Sequence, residues 1–251
     1  MSALTVVGIF LAGLAAGAIN TIVGSGSLIT FPTLLAAGYS PVLANVTNTV
    51  GLVPGVISGS FGYRRELKGQ ADRIRRLGLA SVSGGITGAV LLLTLPGSVF
   101  KTIVPALILV ACGLVAVQPR LSRWLAARQG PAPAHGGPAL FALVFATGVY
   151  GGYFGAAQGV ILFALLSIFI AEDLQRLNAV KNVLAMLVNG VAALLFVCFS
   201  HVAWDAAGIL AAGAILGGQV GATVGRRLPA RLLRGIIIVV GLGVATKLIF
   251  F

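Results

Sequence analysis

The chain has 251 residues, 58% of them hydrophobic and 9% charged, with 35 glycines and a formal net charge of +12. A soluble domain carries about 25% charged residues, so this chain cannot cover a soluble surface and reads as a polytopic membrane protein. Its positive charge falls in short loops between apolar segments, a positive-inside distribution and not a nucleic-acid patch.

Apolar segments are predicted at 3–22, 28–38, 42–63, 77–95 and 101–118, then at 138–155, 158–170, 177–199, 205–224 and 235–250. Eight of them run 16–23 residues, near the length that crosses a bilayer. The segments 28–38 and 158–170 are too short; at about 1.5 Å per residue each reaches only part of the way. The first segment has no basic flank or cleavage site and is read as a retained span. Cys112 and Cys198 lie in separate apolar segments and are read as buried thiols. Tyr63 and Trp204 fit an interfacial aromatic role.

Each short segment follows a glycine-rich break. The first is Asn20-Thr21-Ile22-Val23-Gly24-Ser25-Gly26-Ser27, and the second is Gly151-Gly152-Tyr153-Phe154-Gly155-Ala156-Ala157-Gln158-Gly159. In lipid a broken helix exposes backbone groups, so it persists only where it lines a protein cavity. Breaks at matching positions of two halves point to a transport site. An offset of 131 places Gly17 on Gly148 and Gly24 on Gly155, and an offset of 134 then places 44–48 on 178–182.

Topology follows from charge. With loops 64–76, 119–137, 171–176 and 225–234 cytoplasmic, 14 of the 17 basic residues lie inside. This works if 3–38 is a hairpin from outside and 138–170 a hairpin from inside, each followed by three crossings. The expected fold is therefore an all-α polytopic membrane protein: an inverted repeat of about eight spanning helices plus two short half-helices forming hairpins. The first repeat is 1–118, the cytoplasmic linker 119–137 and the second repeat 138–251, with both termini outside.

The run Gly13-x3-Gly17-Ala18-Ile19-Asn20-Thr21-Ile22-Val23-Gly24-Ser25-Gly26-Ser27-Leu28-Ile29-Thr30-Phe31-Pro32 resembles the N-terminal signature of the TauE/SafE (sulfite exporter) family. So does its continuation from Gly38 to Thr49, while 148–155 resembles the second signature and Lys181-Asn182 fits the helix after it. The resemblance covers essentially the whole chain. It implies transport of sulfur oxyanions or organosulfonates, mostly by export, in a bacterial inner membrane. Positions often glycine in the family are Ser25, Ser27, Ala156, Ala157 and Gln158 here.

The residues themselves favour an anion. A half-helix beginning at a glycine/serine turn presents unpaired N–H groups and the positive end of its dipole. Candidate substrate-binding residues are Asn20, Thr21, Gly24, Ser25, Gly26 and Ser27 at the first break and Gly155 and Gln158 at the second. Thr47 and Asn48 on one following helix and Lys181 and Asn182 on the other complete the set. Lys181 has two readings. An ionisable residue inside a span is a functional candidate, while its shallow depth in 177–199 allows it to snorkel to the headgroups. Asn45 and Asn189 extend the amide stripe, which equally suits interhelical hydrogen bonding. The ladders Gly51, Gly55, Gly59 and Gly213, Gly217, Gly221, Gly225 are close-packing faces.

The five acidic residues lie in loops or at span ends, so no carboxylate is placed for a midplane proton relay. There is no Ser-His-Asp arrangement, metal cluster or P-loop, which predicts a non-enzymatic protein without cofactor or metal. Expected partners are a small anion and the bilayer, with no nucleic acid. Homo-oligomerisation, the transport direction and a channel in place of a carrier stay open.

Overall fold

The computed structural model describes residues 1–127, 137–223, 235, 238–243 and 245–246. Among these residues the chain is helical, without strands: α1 (Ala3–Ile22), α2 (Ser27–Ala36), α3 (Pro41–Gly62), α4 (Ala71–Thr94), α5 (Gly97–Ala127), α6 (Gly137–Tyr153), α7 (Gln158–Phe169), α8 (Leu174–Phe199) and α9 (Trp204–Thr223). A further helical stretch at 238–243 packs on α5, where a side chain at Gly241 would strike Cys112 Sγ.

Six described helices are long and apolar enough to cross a membrane: α1, α3, α4, α5 over Gly97–Val117, α8 and α9. Of the eight expected spans, 138–155 becomes the shorter α6, because the chain turns at Gly155 (φ +77°). Residues 236–237, 244 and 247–250 of the segment 235–250 lie outside the described residues, as do 128–136 of the linker and Gly225. Two helices begin earlier than hydropathy suggests. α4 starts at Ala71 with Asp72 in its first turn, where the helix dipole favours a carboxylate. α8 starts at Leu174, because the Asp173 carboxylate accepts the N–H groups of Gln175 at 2.8 Å and Arg176 at 3.2 Å. The helical backbone of α5 continues to Ala127, into the stretch expected to be linker.

Glycines set the packing. Gly13 and Gly17 of α1 lie over the carbonyls of Leu210 and Ala214 in α9, while Gly213, Gly217 and Gly221 lie over those of Phe10, Leu14 and Ala18. Residue numbers rise together, so α1 and α9 run parallel. Gly84 and Gly88 of α4 meet the carbonyls of Phe145 and Val149 in α6 in the same way, again in parallel. Gly51 and Gly55 bring α3 against Ala207 and Ala214, making α3 parallel to α9. By contrast α3 and α8 run in opposite directions: Tyr63 packs with Ala179, while Thr47 at the other end of α3 meets Ala203 beyond α8.

The most extensive pairings are α1·α9, α4·α6, α3·α9, α4·α8 and α3·α8. Exchanging α1, α2, α3 and α4 for α6, α7, α8 and α9 maps this set onto itself. It also maps α1·α2, α2·α3 and α1·α3 onto α6·α7, α7·α8 and α6·α8. At one end the connections after α3 and α7 lie side by side. There Glu172 accepts from Arg176 Nε at 3.0 Å and faces Arg73 at 3.5 Å, and Arg176 Nη2 donates to Lys68 O at 3.1 Å.

Two expectations are corrected. Cys198 is exposed on the outer face of α8, although Cys112 is buried. Tyr63 is buried against Ala179 and Ala222 and does not reach an interface, whereas Trp204 is exposed.

Candidate functional site

The tips of the two broken hairpins meet. Gly159 N–H donates to Gly24 O at 3.1 Å. A Cβ on Gly24 would stand 2.4 Å from Gly159 Cα, and one on Gly159 would stand 2.5 Å from Gly24 Cα. Gly24 also has φ +87°, a conformation that glycine adopts without strain. Phe154, just before Gly155, packs edge-on against Phe31 of α2 at 5.3 Å and against Phe100 of α5 at 6.0 Å, fastening one hairpin to the other.

Each break leaves helix ends that need partners. At the end of α1, the Thr21 carbonyl accepts from Asn178 Nδ2 and Asn182 Nδ2, both at 3.3 Å, and from Lys181 Nζ at 3.4 Å. Lys181 Nζ also donates to Asn20 O at 3.2 Å. At the end of α6, Asn45 Nδ2 donates to Tyr153 O at 3.0 Å. The negative ends of both helices are thus covered by donors from a long helix of the other half, α8 for α1 and α3 for α6. Asn20 Oδ1 accepts Gly26 N–H at 2.7 Å, and Asn48 holds the start of α2 through Ser27 Oγ (3.3 Å) and the Thr30 hydroxyl.

Beside the tip contact lies a narrow cavity of about 20 Å³, about the room one water needs. It is lined by Asn20, Gly24, Ser27, Gly155, Gln158, Gly159, Lys181 and Asn182, together with Val56, Ala185 and Asn189. Both α2 and α7 start there, so the positive ends of two helix dipoles converge on it. Lys181 does not snorkel: it is 1% exposed, two turns inside α8, and bonded as above. Gln158 is 2% exposed, and neither Oε1 nor Nε2 has a hydrogen-bond partner among the described residues.

Seven of the twelve expected site residues therefore line one cavity. The others lie elsewhere. Thr21 contributes its carbonyl to the α8 contacts and its hydroxyl to Gly17 O. Gly26 N–H is engaged by Asn20. Ser25 is buried, its hydroxyl without a partner among the described residues, and lies outside the lining. Asn48 props α2, and Thr47 Oγ1 accepts Ala203 N–H at 3.1 Å at the start of α9. Gly159 was not among the expected site residues: it sits in the second glycine run, but nothing local to it announces contact with Gly24.

The profile of the sulfite exporter TauE/SafE family matches residues 9–248. The chain belongs to this family. Among curated proteins, it is 28% identical over 96% of its length to the probable membrane transporter protein YfcA of Escherichia coli K12, covering 88% of that protein. It is 26% identical to the probable membrane transporter protein ORF9 of Sinorhizobium sp., over 96% of this chain and 91% of that protein. The same identity over 96% of the chain relates it to a probable membrane transporter protein of Haemophilus influenzae, 93% of which is covered. No solved structure matches significantly. This TauE/SafE protein is thus a multi-pass membrane protein of a transporter family. One residue in its second break stands under strain: Ala157, at the N-terminus of α7, adopts φ +58°, a left-handed conformation costly for any residue with a Cβ.

Proposed function

We propose that this protein is a secondary transporter that exports a small sulfur-containing anion such as sulfite, thiosulfate, sulfoacetate or another organosulfonate. The observation that carries the reading is the cavity at the hairpin tips, where Lys181, the Gln158 amide and two helix N-termini converge. Family membership supports the substrate class, since the family is described as sulfite exporters. Neutral and cationic donors on the cavity wall, without a carboxylate, favour an anion over a cation. The cavity is too small for a sulfonate, so it must widen to bind one. That suits a carrier whose hairpin tips part on one side at a time, and disfavours a standing pore.

The architecture we infer is an inverted repeat with hairpins entering from opposite sides of a bacterial inner membrane and both termini outside. Its support is the set of helix pairings that maps onto itself on exchange of α1–α4 for α6–α9, together with the opposed directions of α3 and α8. The basic connection after α3 lies beside the one after α7, where Glu172 meets Arg73 and Arg176, and this adjacency supports placing both on the cytoplasmic side.

Isotope counterflow tests the carrier. In proteoliposomes loaded with unlabelled sulfite, entry of labelled sulfite is expected to accelerate relative to empty vesicles. Entry without such trans-stimulation would assign a channel, and no movement of sulfite, thiosulfate or sulfoacetate would overturn the substrate class.

A further inference from the structure

We propose that the anion taken here is a monoanion carrying its own hydrogen-bond donor: a hydroxyl-bearing sulfonate or a singly protonated sulfur oxyanion. The inference rests on the transport reading above and narrows its substrate.

The charge comes from Lys181. It is the one charged side chain among the described residues lining the cavity. Its ammonium has three donors, and two meet the neutral carbonyls of Asn20 and Thr21. One N–H is left for a ligand, and no carboxylate neutralises the charge: Glu66, Asp72, Glu172, Asp173 and Asp205 all lie in connections or first helical turns. A buried ammonium without a counter-ion is costly. One negative charge on the ligand balances it, whereas two leave an uncompensated anion in the same low-dielectric place.

The donor comes from Gln158. Its amide is buried, lines the cavity and is unpartnered at both atoms among the described residues. It leans on Gly151, where a Cβ would stand 2.3 Å from Gln158 Cδ, so any larger residue at 151 would displace it. Nε2 suits an oxyanion oxygen. Oε1 only accepts, and beside a fully deprotonated anion it would face lone pairs. A ligand O–H satisfies Oε1 while the sulfonate oxygens take Nε2 and Lys181.

The test is a thermal-shift titration of the purified, detergent-solubilised protein with three probes. Isethionate is a monoanion with a hydroxyl, 1-propanesulfonate has the same charge with a methyl in its place, and sulfoacetate is a dianion. Isethionate is expected to half-saturate at a concentration at least about tenfold below either of the others, since a site built for a hydroxyl rejects its apolar isostere. Gln158→Met is expected to erase the gap to 1-propanesulfonate while keeping the gap to sulfoacetate, and Lys181→Gln to weaken isethionate and 1-propanesulfonate alike while keeping the gap between them. If either variant fails to fold, the wild-type ranking decides alone. Equal affinity for 1-propanesulfonate overturns the donor, and equal or tighter binding of sulfoacetate overturns the monoanion, both leaving sulfur-anion transport standing. If none of the probes shifts the protein and sulfite is not moved in counterflow, the transport reading falls and this inference with it.

Discussion

At the scale of single residues, the second hairpin carries strain that the first avoids. Gly24 reaches φ +87° without a Cβ, while Ala157 reaches φ +58° with one. Gly24→Ala is expected to destabilise the protein by at least about 1 kcal/mol, because it adds backbone strain and places a Cβ 2.4 Å from Gly159 Cα. Ala157→Gly is expected to stabilise it by about 1 kcal/mol through relief of left-handed strain. Thermal unfolding in detergent reads both signs. Residue identity was legible at this scale, but direction was not. Thr47 and Asn48 are neighbours in sequence, yet on a helix adjacent side chains point about 100° apart. Asn48 therefore reaches α2 and Thr47 reaches the start of α9. Hydropathy understates the depth of Lys181, because it starts the helix at 177, while the Asp173 cap starts it at Leu174.

At the scale of helices, backbone-to-backbone contact through glycine holds the long pairs together. Lipid tails are as apolar as leucine, so close packing must supply what hydrophobic burial supplies in water. A Cβ on Gly217 would stand 2.0 Å from Leu14 O, whereas one on Gly208 of the same helix meets nothing within 4 Å. Gly217→Ala is expected to cost about 1–3 kcal/mol by overpacking, and Gly208→Ala to leave unfolding in detergent unchanged or slightly improved. Equal effects of the two would contradict a glycine-mediated α1·α9 interface. The ladders 51–55–59 and 213–217–221 were legible from their four-residue spacing. Their partners were not, because spacing marks a face without naming what it faces. Polar helix-end partners were hidden in the same way. Asn45, Asn178 and Asn182 announce a polar stripe, but only the fold brings them to the carbonyls of Tyr153 and Thr21.

At the scale of the whole molecule, the two breaks, read separately along the chain, become one site because Gly24 and Gly159 touch. The half-helix N-termini are less open than their glycines suggest. Gly26 N–H is held by Asn20 and Gly159 N–H by Gly24 O, so side chains, Lys181 and Gln158 among them, supply donors that these backbone groups do not. For a monoanion carried without a coupling ion, each 100 mV of inside-negative potential contributes about 2.3 kcal/mol to export. That is about fiftyfold in the equilibrium concentration ratio. Imposing a potassium-diffusion potential across sulfite-loaded proteoliposomes checks this. Indifference to potential combined with dependence on a proton or sodium gradient would replace the uniporter with a coupled carrier. The measurement that tests the central claim most directly is sulfite counterflow by Lys181→Gln beside the wild type, both shown folded by size exclusion and thermal unfolding. If the hairpin-tip cavity is the transport site, the variant keeps its fold and loses at least about a hundredfold in rate, as for an uncompensated loss of a charged, desolvated contact; counterflow at the wild-type rate would contradict it.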